Sequence, residues 1–226
     1  MKTTVISLGG SIVVPDKIDI MFLKRFRKLI MEHVKKGHRV VLVVGGGRPC
    51  RLYQEAAGKL VHATTEDKDW IGIMATRLNA ELVRVMFKDV AYHRVIYDPH
   101  EKVKTDKKVI IGAGHKPGCT TDYDMAVLAK GMKADLLINT TNVDYVYDKD
   151  PRVHRDAKKI EHTTWKEFNR MFKEHKAGIH APFDPVASRF AEKTRLTVAI
   201  VNGRNLANLK RLLDGKRCKG TVIKPK

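Results

Sequence analysis

Four strings in this sequence set glycine or hydroxyl residues at the end of an apolar run: Gly9-Gly10-Ser11, Gly45-Gly46-Gly47, Gly112 to Gly118, and Thr140-Thr141-Asn142. Glycine lets the backbone approach a phosphate closely and turn several N–H groups toward one anion. A helix opening behind such a turn adds the partial positive charge of its N-terminus. One glycine turn is as readily structural as functional. Four of them, each following a strand, describe the carboxyl edge of an open sheet, where ligands collect. The chemistry they suit is phosphate handling. No G-x-x-x-x-G-K-[ST] string occurs, and no G-x-G-x-x-G follows the first apolar run, so neither common nucleotide-binding loop is present.

The elements that would position these turns alternate between strand and helix, the pattern of an α/β fold with a largely parallel sheet. Thr3 to Leu8 reads as a first strand. Asp19 can cap a helix that puts Phe22, Leu23, Phe26, Leu29, Ile30 and Val34 on one face and stops at Gly37. Arg39 to Val44 is β-branched without alternation, as expected of a strand covered on both faces. A helix is expected after Gly47 and another from about Asp67 to Phe87, then short strands at Arg94 to Tyr97 and Val109 to Ile111. Further on, the pattern predicts a helix from Asp122 to Gly131, a strand from Ala134 to Asn139, and helices at Thr164 to Glu174 and Pro185 to Lys193. A strand from Leu196 to Val201, a helix from Asn205 to Leu213 and a strand from Thr221 to Ile223 close the chain. With no repeats or linkers, residues 1–226 read as a single domain.

Composition sets limits on partners. The 226 residues suffice to bury a core. Cys50, Cys119 and Cys218 lack the paired spacing of disulfide or zinc frameworks, and the first 20 residues do not resemble a signal peptide. No apolar stretch nears the ~20 residues that span a bilayer. A cytoplasmic protein without a membrane partner is the expectation. The formal net charge of +19 favours an anionic partner or reflects a generally basic surface. No aromatic-interleaved RNA-binding signature accompanies it, so a nucleic-acid partner is not expected.

The strings SLGGS, VVGGGRPCR, KDWIGIMATRLNA, GAGHKPGCTTD, ADLLINTTNVDYVYDKDP and DAKKI occur in an order and spacing that resembles the amino acid kinase superfamily, and within it the archaeal-type uridylate (UMP) kinases. The resemblance runs from Val5 to the final GTVI. It implies a three-layer αβα sandwich with a mainly parallel central sheet, the amino acid kinase fold. It further implies transfer of the γ-phosphate of Mg-ATP to UMP, with Mg²⁺ carried by ATP and no resident metal site, in a homohexamer. The acceptor UMP would lie on the N-terminal portion, to about residue 130, and ATP on residues 131–226.

Position by position, the resemblance sets Gly9, Gly10 and Ser11 beneath the transferring phosphoryl group, with Asp144 among the catalytic residues. Gly46, Asp69 and the segment Gly114, His115, Lys116, Pro117, Gly118, Cys119, Thr120 and Thr121 match UMP-binding positions. Gly9, Gly10, Gly47, Arg51, Thr141, Asn142, Tyr147 and Asp150 match ATP-binding positions. Asp69 could accept both hydrogens of a ribose diol, or pair with Lys68 or Arg77 on a helix surface. Thr120 and Thr121 could meet a phosphate or cap a helix, and Asn142 and Asp144 also suit a plain turn.

Three positions depart from the family pattern. A lysine common two residues before the first turn is Ser7 here, leaving Lys158, Lys159 or an arginine as candidate cations. Tyr145 stands where a glycine is usual, which is costly if that residue needs a positive φ. Lys116 lengthens the third turn by one residue. The rival readings are a related kinase for isopentenyl phosphate or an acylated amino acid, and a weakened nucleotide- or nucleic-acid-binding regulator.

Overall fold

The computed structural model describes residues 1–151, 153–173 and 182–226. Its elements run in chain order β1 (Thr3–Leu8), α1 (Gly10–Val13), α2 (Ile20–Lys35), β2 (Arg39–Val44), α3 (Gly47–Leu60), α4 (Thr65–Met86), β3 (Val109–Gly112), α5 (Thr121–Gly131) and β4 (Leu136–Thr141). There follow β5 (Val146–Tyr147), β6 (Lys159–Ile160), β7 (His162–Thr164), α6 (Trp165–Lys173), α7 (Pro185–Lys193), β8 (Val198–Asn202), α8 (Leu206–Leu213) and β9 (Thr221–Lys224).

Seven strands form one sheet in the order β3-β2-β1-β4-β8-β9-β7, and β5 and β6 form a separate antiparallel pair. The first five strands of that sheet are mutually parallel, and β9 runs antiparallel to β8. Side chains along β2 alternate between two cores. Val40, Leu42 and Val44 pack with α2, α4 and α8, whereas Val41 and Val43 pack with α5, α6 and α7. A run that is apolar at every position therefore fills both faces of the sheet, giving the expected three layers. Pairing of Leu8 with Val44, Ser7 with Asn139 and Val43 with Gly112 aligns the ends of β1, β2, β3 and β4 on one edge. All four turns therefore leave the sheet on the same side.

Three expectations need correction. Arg94 to Tyr97 is not a strand: Ala91 and Ile96 make isolated bridges to β3, with the Ile96 N–H donating to the Ile111 carbonyl at 2.8 Å. The strands expected from Ala134 and from Leu196 begin two residues later, for one shared reason. Helices α5 and α7 each end on a left-handed residue, Lys133 (φ 50°) and Arg195 (φ 57°). The next N–H then folds back onto the helix, Ala134 to the Ala129 carbonyl at 2.8 Å and Leu196 to the Ala191 carbonyl at 2.9 Å. This is the Schellman closure, normally built on glycine, and it claims both apolar residues for the helix ends. Helix α8 closes the same way through Gly215. The sixth helix ends its described part at Lys173, and Glu174, expected to close it, lies outside the described residues.

Lysine at φ 50° strains a backbone that glycine adopts freely. Lys133→Gly is expected to stabilise the protein by about 1 kcal/mol, read as a rise in the urea midpoint at constant slope. A fall would show that the lysine side chain makes a contact outweighing the strain.

Candidate functional site

The first two turns are pressed backbone to backbone. A Cβ on Gly10 would lie 2.0 Å from the Gly47 nitrogen and 2.6 Å from the Gly45 carbonyl oxygen, and one on Gly45 would lie 2.6 Å from the Gly10 nitrogen. Only glycine fits at either place. Gly47 itself has φ 68° and lies against the Gly10 carbonyl. Gly9 caps the single-turn helix α1, whose next residue, Gly10, is buried while Ser11 is exposed. The first N–H groups of a helix have no acceptor within it, so the junction of α1 with α3 presents donors rather than acceptors.

Helix α4 braces this junction from below. Its N-terminus is a full capping box, with Thr64 and Asp67 satisfying each other's backbone. Asn79, buried, donates through Nδ2 to the carbonyls of Gly45 (2.9 Å) and Gly46 (3.0 Å). Both carbonyls are thereby held away from any incoming anion. One turn earlier, Thr76 Oγ1 donates to the Ile73 carbonyl and accepts from the Gly114 N–H at 2.8 Å. Two turns before that, Asp69 Oδ2 accepts from the Gly118 N–H at 2.9 Å. Arg77 donates to the His115 carbonyl at 3.0 Å and lies 4.4 Å from the centre of the Tyr97 ring. One face of α4 thus holds the second turn and the third.

The third turn is also held from behind. Asp124 of α5 is 1 % exposed, and its Oδ2 accepts from the His115 N–H at 3.1 Å while Oδ1 has no partner among the described residues. Burial pushes its carboxyl up to about 7, and burial raises the neighbouring Asp122 to about 6. Thr120 caps α5 by accepting from the Tyr123 N–H, leaving the Thr121 end of the helix facing the turn. A cavity of about 200 Å³ opens there, lined by His115, Lys116, Gly118, Cys119 and Thr120 of the turn together with Tyr123. Lys116, the extra residue, is exposed on its wall.

The fourth turn joins the first through Thr140, which donates to the Ser7 carbonyl. Thr141 bonds locally to Val143, and Asp144 accepts from Asn202 Nδ2 at 3.0 Å with Lys219 Nζ 3.7 Å away. Asn142 is exposed beside them, Tyr147 lies in β5, and Asp150 follows in the loop. Among the described residues, no side-chain hydrogen bond or ion pair ties Arg51 or Tyr147 to the glycine turns. Of the candidate cations, Lys159 is engaged elsewhere, paired with Glu161 at 2.7 Å and 5.0 Å from the centre of the Tyr145 ring. Tyr145 is not among the residues with positive φ, so the tyrosine sits there without that strain.

Thr76, Arg77, Asn79 and Asp124 were not singled out as functional from sequence. A signal for two of them exists: Thr76 and Asn79 recur at helical spacing with Asp69, beside Ile73 and Ala80, polar residues on a face that should be core. Asp124 gave no such sign. Among the described residues no three His, Cys, Asp or Glu side chains come together to hold a metal ion, and no helix is long and apolar enough to cross a membrane.

The Asp124 arrangement has a measurable pH signature. The folded protein keeps the Asp124 proton up to about pH 7, whereas the unfolded chain releases it near the ordinary 3.8. The native state therefore loses stability as pH rises through that window. Asp124→Asn removes the titration, so its melting temperature relative to wild type should climb between pH 4 and 7 and level off above. A difference that stays flat with pH would mean that Asp124 is ionised in the fold.

Residues 2–202 match the model of the amino acid kinase family. The chain is 38% identical over 225 residues to the uridylate kinase of Thermococcus onnurineus (strain NA1), covering 98% of this chain and 99% of that one. It is 36% identical to the uridylate kinase of Pyrococcus abyssi (strain GE5 / Orsay) over the same shares. The crystal structure of uridylate kinase from Archaeoglobus fulgidus superposes with a TM-score of 0.86 at 32% identity, covering 99% of this chain and 100% of that one. With its interlocked glycine turns at the carboxyl edge of a mainly parallel sheet and these full-length likenesses, the chain belongs to the amino acid kinase family.

Proposed function

We propose that this protein is a UMP kinase, transferring the γ-phosphate of ATP to UMP to give UDP and ADP. The observation that carries the reading is the pairing of two anion-facing turns on one helix, in a chain that aligns end to end with uridylate kinases. In this reading the acceptor phosphate rests at the Thr120–Thr121 end of α5, and the Gly114–Thr121 turn covers UMP. Asp69 faces the ribose while also accepting from Gly118. The Gly9–Ser11 and Gly45–Gly47 junction takes the transferring phosphoryl group, with Gly47, Arg51, Thr141, Asn142, Tyr147 and Asp150 on the ATP side. Asp144, oriented by Asn202, stands on that side too.

The acceptor is itself an anionic phosphate oxygen, so positioning and charge neutralisation do most of the work and no dedicated base is needed. Fixed N–H donors aimed at the transferring group supply much of that neutralisation without reorganising. Mg²⁺ would ride on the ATP phosphates and would supply further positive charge there. The enzyme would work in the cytoplasm.

The other face of α4 supports an assembly of several copies. Trp70, Met74, Leu78, Leu82 and Val85 line the side opposite Asp69, Thr76 and Asn79, with Met74 58% and Leu78 71% exposed. With Tyr53 and Leu60 of α3, also exposed, they form an apolar surface suited to a second copy. We place the subunit contact of a homohexamer there. Light scattering should give the hexamer mass for wild type and a smaller species for Leu78→Glu. An unchanged mass in that variant would move the contact elsewhere.

Coupled measurement of ADP release should give kcat/KM for UMP at least tenfold above CMP, dTMP and isopentenyl phosphate. Equal rates across the four would overturn the acceptor assignment. Asp69→Asn should raise KM for UMP about tenfold with little change in kcat, since the amide oxygen can still accept from Gly118. An unchanged KM would remove Asp69 from the ribose.

A further inference from the structure

Part of the basic excess behind the +19 charge lies around helix α8. Helix α8 is flanked on both sides by cationic grooves. One, of about 580 Å³, lies between α8 and α2 and is lined by Arg25, Lys28, Arg204 and Lys210 against a single carboxylate, Glu32. The other, of about 410 Å³, lies between α8 and the β6 side of the molecule and carries Arg211, Arg217 and Lys219 against Glu161. The two share Asn205 and Ala207 at the start of α8, so they form one continuous surface.

Part of this charge is already neutralised. Lys210 pairs with Glu32 at 3.5 Å and Asp214 at 3.4 Å, Arg204 with Asp19 at 3.1 Å, Arg217 with Glu161 at 3.2 Å, and Lys219 with Asp144 at 3.7 Å. Arg25, Lys28 and Arg211 make no ion pair with a carboxylate among the described residues. Exposed Lys24, Lys35 and Lys216 extend the same face along α2 and beyond α8. Like charges held this close on rigid helices repel one another, and an anionic partner relieves that repulsion.

We propose that the α2–α8 face binds the phosphate backbone of a single-stranded nucleic acid. A small anion would need one converging pocket, whereas here the cations are strung along two open grooves either side of a helix. That layout suits a chain carrying a charge at regular intervals. Tyr145, on the wall of the second groove, borders the surface with a ring that also meets the Lys159 ammonium at 5.0 Å. The face lies apart from the glycine turns and α5 but borders the fourth turn, where Lys219 lies 3.7 Å from Asp144, so the test leaves Lys219 and Tyr145 unchanged and reads the kinase reaction separately. From sequence no nucleic-acid partner is expected; the cations of this face come from α2, α8 and the segments flanking α8, far apart in the chain.

The test is fluorescence anisotropy with a labelled 20-nucleotide single-stranded RNA and the full chain. With about five phosphates contacted, affinity should fall roughly 100-fold between 50 and 200 mM salt. The triple variant Arg25→Glu, Lys28→Glu, Arg211→Glu should weaken binding more than tenfold at 50 mM salt and keep wild-type UMP kinase turnover. The control Lys104→Glu, Lys107→Glu, in the loop before β3 at the far edge of the sheet, should bind within twofold of wild type. No binding by wild type, or equal loss in both variants, would overturn the proposal. So would displacement of the RNA by inorganic triphosphate as effectively, per phosphate, as by unlabelled RNA, since that would show a small-anion site.

Discussion

The site depends on one steric constraint: Gly10 and the Gly45–Gly47 turn occupy the same space to within a Cβ atom. Because a Cβ on Gly10 would come within 2.0 Å of a backbone nitrogen, the ends of β1 and β2 can approach only as bare backbone. That contact sets where α1 and α3 begin, and with them the direction of their first N–H groups. Parallel pairing through Leu8 and Val44 brings the two strand ends level, so the interlock is the continuation of the sheet register. The rest of the site is arranged around it, with α4 beneath and the third and fourth turns on either side.

Much of this was legible in the order of residues. The apolar runs of β1 and β2 declared a sheet covered on both faces, and the glycines after them declared the edge at which ligands gather. The helix α2 appeared with its cap at Asp19 and its buried stripe as read. What sequence could not convey were contacts between distant segments. Nothing in the string GAGHKPG says that its backbone is held by Asp69, Thr76 and Asp124, because those bonds span up to 49 residues and depend on packing. The strand boundaries at Leu136 and Val198 were misjudged because Lys133 and Arg195 close helices in the left-handed conformation, a role that composition assigns to glycine.

The departures from the family pattern also acquire physical meaning. Ser7 is 7 % exposed within β1, and its carbonyl receives the Thr140 hydroxyl, tying the first turn to the fourth. Tyr145 needs no unusual torsion and instead meets the Lys159 ammonium across its ring. Lys116 lengthens the third turn into the wall of a cavity without disturbing the bonds at Gly114 and Gly118. Each change is absorbed where it occurs.

Helix α4 has a consequence beyond its packing. Asp69, Thr76 and Asn79 lie within ten residue steps of one rod, about 15 Å at 1.5 Å per residue. The rod sets the separation of the turns it grips as a calliper does, and no loop can alter it. A single residue inserted between Asp69 and Asn79 would turn one end of that grip by about 100° against the other. A change of length in the surrounding turns therefore leaves this helical interval untouched. The spacing of the two glycine-bearing turns is in effect written as a count of residues.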